Sequence, residues 1–251
     1  DKGEVKPGNT GSTTKPSTGG GSSSGGSVSS DLTISEAKTV TGGTYQNVTI
    51  AYSVGDDTVI LDGVTITGTL TVNGGGSHSV NLINCIVRGT VLLNKPDGQP
   101  PRLNLANTPV AAVEAVKPAI LEADQASAIA SVTARANVEV KGEHTAVAAI
   151  TVPADIENEV TVTVTAGSVA RVEAKSETAV TGAAGTVANV VAEAPVTVAS
   201  EAVGLVEVPE TAASSVNVSV TGSAPIEVEV NSSNGVAITA EDSGSVTLST
   251  S

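Results

Sequence analysis

The sequence predicts an all-β fold, a parallel β-helix or β-solenoid, on three observations. A phrase recurs: GTLTVN at 68–73 returns as GTVLLN at 89–94 and then degrades without vanishing. The apolar residues are almost all branched or small, since the 251-residue chain has no Phe, Trp or Met and only two tyrosines. Short alternations such as DTVILDGVTI, NVEVKG and EVTVTVTAG lie between the copies and end in Gly, Asn, Asp, Pro or Ser. β-Branched residues fit a pleated surface and lose rotamer freedom in a helix, so this palette favours strands.

Residues 1–30 are dominated by Gly, Ser, Thr, Pro and Lys and read as a disordered linker, because they cannot bury enough apolar surface to order themselves. A linker implies further modules of the same parent chain. From residue 31 onward the repeat takes over: after GTVLLN come AAVEAV at 111, ASVTAR at 130, AAITVP at 148, ARVEAK at 170, ANVVAE at 188 and GLVEVP at 204. Each copy is a small residue, any residue, then a branched aliphatic; GSVTLS at 244 reads as a last copy. Several short strands per period of about twenty residues indicate a solenoid. Matching positions of successive coils stack about 4.8 Å apart, so roughly ten short coils, of the right-handed kind, make a rod on the order of 50 Å long. The small residue is expected to let the chain turn a corner beneath the coil above, and the aliphatic to pack on its own copies.

The remaining elements follow in order. LNKPDGQPPRLN at 93–104 is a loop leaving the stack. VAAVEAVKPAILEADQASAIASV at 110–132 has a helical alternative from its Ala, Glu and Leu content, opposed by Pro118 and by the repeat register. Residues 31–107 hold more Gly, Asn and large aliphatics than 108–251, which suggests two sub-parts of different cross-section.

A net charge of −14, with the nine Lys and Arg after residue 30 scattered singly, makes nucleic acid an unsuitable partner. No stretch approaches the apolar length needed to span a membrane. One cysteine, Cys85 in NLINCIV, excludes an intramolecular disulfide and reads as a buried thiol. The opening DKGEVKPG reads as a mature fragment or a piece of something longer.

Chemistry-bearing residues are few. SVGDDTVILDG offers Asp56, Asp57 and Asp62, which could bind calcium or act as general acid and base; the competing reading is a turn capped by its own side chains. His78 and His144 lack metal-ligand spacing, and Gly74–Gly76 lie between strands, a loop rather than a phosphate cradle. Sugars are bound on aromatic faces, and only Tyr45 and Tyr52 can provide one. With Asn47, Asp56 and Asp57 nearby, the first coils are the best location for a glycan site if the domain has one; the competing and favoured reading is that one tyrosine caps the open end of the solenoid. Rows of Thr, Asn and Ser, as in TITGTLTVN and TVTVT, could also meet a polymer along a flat face.

GGTYQNVTI, then DTVILDGVTITGTLTVNGGGSHSVNLINCIVRGTVLLN and the Val- and Ala-rich repeat beyond, resemble β-helical modules of S-layer-anchored polysaccharide hydrolases and adhesins of Gram-positive bacteria, in particular carbohydrate-binding module family 54. The resemblance implies a secreted, cell-surface, non-catalytic module that attaches a polysaccharide-degrading enzyme to insoluble β-glucan, xylan or chitin. No cofactor is expected, calcium being the one ion that Asp56, Asp57 and Asp62 could accept. The alternatives are a structural spacer or adhesin stalk and, further off, a β-helical polysaccharide lyase or hydrolase.

Overall fold

The structure is a computed structural model describing residues 30–212, 214–241 and 245–250. The expected linker, apart from Ser30, lies outside the described residues, as does Gly244 of the last repeat copy. The chain is a parallel β-solenoid of about eleven coils, built from one sheet of 14 strands and a second of 11. It alternates between them: Leu32–Ile34 in the first sheet is followed by Lys38–Thr41 in the second, then Val48–Ile50 back in the first, one level up. Every strand pair is parallel because each coil returns to its starting point before the next begins.

The recurring phrase is the register of the first sheet. Its third residue forms one core column, Leu70, Val91, Val113, Val132, Ile150, Val172, Val190 and Val206, continued by Val228, each paired with the next; in GSVTLS the register is displaced by two, since Val228 pairs with Leu248 and the third residue, Val246, pairs with Ile226. None of the nine is more than 1% exposed. A matching column, Val138, Val162, Val180, Val198 and Val220, closes on it from the second sheet. Like stacked on like fills the narrow interior without aromatics, and each fully buried Val or Leu contributes roughly 1.5–3 kcal/mol. The segment with a helical alternative is three strands, Val110–Ala115, Ala119–Ala123 and Ala128–Ala134, with Pro118 between the first two.

The small residue of the phrase does relieve crowding in the first copies. A Cβ on Gly68 would lie 2.7 Å from the Gln46 carbonyl, and one on Gly89 would run into the Gly68 carbonyl. In later copies, however, Ala111, Ala130, Ala148, Ala170 and Ala188 face outward. Alternation breaks at that point: in Ala128–Ala134 two outward residues, Ala130 and Ser131, separate inward Ile129 from Val132, and the strand bends there. Four of them, Ala130, Ala148, Ala170 and Ala188, therefore line a shallow outer groove of about 480 Å³ instead of an inner corner.

Between the sheets, a column of left-handed residues turns the chain. Gly42, Gly63, Asn84 and Asn107 have φ of 65°, 64°, 52° and 47°, and only Gly or Asn adopts this conformation at low cost. The asparagines add a ladder, Asn107 Nδ2 donating to Asn84 Oδ1 at 2.9 Å. Just inside the corner runs a column of small polar groups. Thr108 Oγ1 accepts from Cys85 N–H at 2.9 Å, Ser127 Oγ from Thr108 N–H at 2.8 Å, and Thr145 Oγ1 from Ala123 N–H at 2.8 Å. They satisfy backbone groups that the turn leaves without ladder partners. Cys85 belongs to this column, buried, its thiol directed at the Leu61 and Ile83 carbonyls and its pKa raised by burial.

The cross-section changes along the rod. In the first coils the first sheet carries an extra short strand, Thr44–Tyr45, then Thr65–Ile66; the single strand Ile86–Leu93 pairs with both Thr65–Ile66 and Leu70–Val72. Six of the nine cations after residue 30, Lys95, Arg102, Arg135, Lys141, Arg171 and Lys175, pair with neighbouring carboxylates and do not form a basic patch.

Candidate functional site

One site collects an exposed aromatic ring, two carboxylates and a buried lysine. It begins at Ala51–Asp57, where the chain makes a single 3₁₀ turn over Tyr52–Val54. Gly55 (φ 63°) closes it by donating its N–H to the Tyr52 carbonyl at 2.9 Å, and Asp57 N–H bonds the Val54 carbonyl at 3.2 Å. Val54 is the buried anchor, so its neighbour Tyr52 is directed outward, 55% exposed. The Gly74–Gly76 run makes this close approach feasible, because a Cβ on Gly76 would lie 2.6 Å from the Asp56 carbonyl and one on Gly74 would strike that of Ala51.

The second half of the site is the loop between the strands Ile86–Leu93 and Arg102–Ala106. Lys95, its side chain only 3% exposed, donates to Asp56 Oδ1, to the Gly75 carbonyl at 2.8 Å and to the Gln99 carbonyl at 2.9 Å. One ammonium thus ties the loop to its own far side and to the coil beneath. Burial of an ammonium is tolerable only when its protons are all satisfied, as here. Asp97, held by this loop, accepts the Tyr52 hydroxyl at 3.0 Å. Between them lies a pocket of about 410 Å³ lined by Tyr52, Ser53, Gly55, Asp56, Lys95, Asp97 and Gly98.

The electrostatics follow from these contacts. Hydrogen bonding from Lys95 holds the Asp56 carboxyl below its usual range, which outweighs desolvation. The Asp97 carboxylate accepting its hydroxyl proton pushes the Tyr52 phenol above its ordinary value. Tyr52 therefore stays a donor, its hydroxyl on Asp97, and Asp56 stays ionised.

Of the residues expected at a glycan site, Tyr52 and Asp56 are brought together here. Asp57 is exposed in the same turn but does not line the pocket. Tyr45 is half-buried against the core, its hydroxyl 2.9 Å from where a Gly43 Cβ would stand. Asn47 is a cross-link between coils, Nδ2 donating to Asp31 at 3.0 Å and Oδ1 accepting from Thr69 N–H at 3.0 Å. Asp62 belongs to the second sheet, where Asn84 Nδ2 lies 3.4 Å from it. Asp56, Asp57 and Asp62 thus do not converge, and among the described residues no group of three or more His, Cys, Asp or Glu could hold a metal ion. Lys95 and Asp97 had no motif to mark them; the one signal was the loop NKPDGQPP, placed two repeat periods after the Tyr52 turn.

No protein-family model matches the chain, and comparisons with curated proteins and with solved structures likewise find no match. What the geometry defines is a class, a parallel β-solenoid with a prebuilt aromatic pocket at one end of the rod.

Proposed function

We propose that this solenoid is a non-catalytic carbohydrate-binding module that holds additional modules of its parent chain against insoluble polysaccharide of the β-glucan, xylan or chitin class, outside the cell. The observation that carries it is the Tyr52 ring, exposed, hydrogen-bonded to Asp97 and bordered by a pocket that the buried Lys95 helps to line. A sugar face stacks on such a ring, and its hydroxyls donate to the flanking carboxylates. The Asp97 hydrogen bond restrains the Tyr52 ring before any ligand arrives, which lowers the rotamer freedom lost on binding.

The test is depletion of the chain from solution by insoluble β-1,3-glucan, xylan, chitin and cellulose, compared with Tyr52→Ala. Saturable depletion that the variant loses is the expected result; no depletion on any polymer overturns the proposal. In that event the spacer or stalk reading stands, supported by two sheets that run continuously through the rod.

A further inference from the structure

We infer that the Tyr52 pocket selects glycans carrying free, protonated amino groups, such as partly deacetylated chitin, over neutral and N-acetylated chains. This rests on the reading of the pocket as a glycan site and narrows its ligand class. Side-chain donors and acceptors on the lining decide which ligand fits. Three lining side chains carry donors, and each is already engaged: Tyr52 Oη–H on Asp97, Ser53 Oγ–H on the Ser35 carbonyl at 2.8 Å, and all three Lys95 protons on Asp56, Gly75 and Gln99. What the side chains leave open is carboxylate oxygen, above all on Asp97, which accepts only the Tyr52 hydroxyl among these bonds, through Oδ1; Asp56 accepts Lys95 through Oδ1 and is approached as well by the Gln99 backbone N–H. The side chains of the pocket thus present acceptors and an aromatic face.

A ligand complementary to it is a donor. Carboxylates of uronic acids, phosphates and the carbonyl of an N-acetyl group bring acceptors that would meet no side-chain donor. A hydroxyl is satisfied there, but an ammonium gains more, from a charge-assisted bond to carboxylate and from the ring quadrupole. Formal charge points the same way. Lys95 offsets one of the two lining carboxylates, which leaves the pocket net negative on a chain of net charge −14.

The experiment is isothermal titration of the full chain with glucosamine tetramer, N-acetylglucosamine tetramer and cellotetraose at mildly acid pH. Glucosamine tetramer is expected to bind roughly tenfold tighter than the other two, or more, with the margin shrinking as salt rises. Asp97→Asn and Tyr52→Ala should each remove that margin. Glu210→Gln, which changes net charge equally at a site outside the pocket, should leave it intact. Equal affinity for glucosamine tetramer and cellotetraose, both weakened by Tyr52→Ala, overturns amine selection and leaves the glycan site standing. Glucosamine binding that Glu210→Gln weakens as much as Asp97→Asn is bulk charge attraction and also overturns it. Absence of binding to all three overturns this inference and the glycan reading together.

Discussion

Replacing Lys95 by Met keeps the length and most of the packing of the side chain while deleting its charge and its three donors. Two of the acceptors left behind are backbone carbonyls, Gly75 and Gln99, and the third is a carboxylate whose side chain is 61% exposed. Water takes over at Asp56, so that partner contributes little. A hydrogen bond from a charged donor contributes about 1.5–3 kcal/mol, giving roughly 3–6 kcal/mol for the two carbonyls. Against this stands relief of the ammonium's desolvation, on the order of a few kcal/mol. The net expected loss is about 2 kcal/mol, read from guanidinium unfolding followed by far-ultraviolet circular dichroism. A second readout is local: once the loop loosens, Asp97 leaves the Tyr52 hydroxyl and the raised phenol titrates back toward its ordinary value of 10.0. Ultraviolet difference titration sees this readily, since the chain has only two tyrosines. Unchanged stability together with an unchanged tyrosine titration would refute the pinning role of Lys95.

Three further outcomes test the architecture. Gly89→Ala should cost about 2–3 kcal/mol in guanidinium unfolding, because the new methyl meets a stacked carbonyl that cannot swing away; Gly204→Ala, 3.0 Å from the Ala188 carbonyl, should stay within about 1 kcal/mol. Cys85→Ser should stay within about 1 kcal/mol, since its stacked neighbour Thr108 shows that a hydroxyl fits the column, whereas Cys85→Leu should overpack it by about 1–3 kcal/mol. Asp124 is held below the usual carboxyl value first by Ser127 Oγ–H and then by the Asn107 and Ala126 N–H groups. A depressed folded-state pKa gives stability that is present above the unfolded value of about 3.8 and lost as pH falls through the folded one. Asp124→Asn should therefore unfold at lower denaturant than wild type at neutral pH, with the two midpoints converging in acid; parallel curves at all pH would exclude this carboxylate from the acid sensitivity.

Recurrence alone determined the solenoid, because in a parallel stack the residues that touch are one period apart in sequence. GTLTVN and GTVLLN are neighbours in space for the same reason that they are alike: each supplies one aliphatic to a column that runs the length of the rod. The absence of Phe, Trp and Met is legible in the same way, since a core this narrow holds Val, Ile, Leu and Ala in repeated layers. Tertiary structure decided the direction of the small residues. Alanine fits either face of a strand, and the bend between Ile129 and Val132 turned Ala130 outward. It also decided which tyrosine stands free: Tyr45 joins a strand and packs on the core, whereas Tyr52 follows the tight turn that Gly74–Gly76 allow. The pocket itself was beyond a reading of periods. A loop leaves the repeat and returns at a place its own length does not specify, so the meeting of Lys95 with Asp56 and of Asp97 with Tyr52 is a product of the stack, two coils apart, rather than of any local motif.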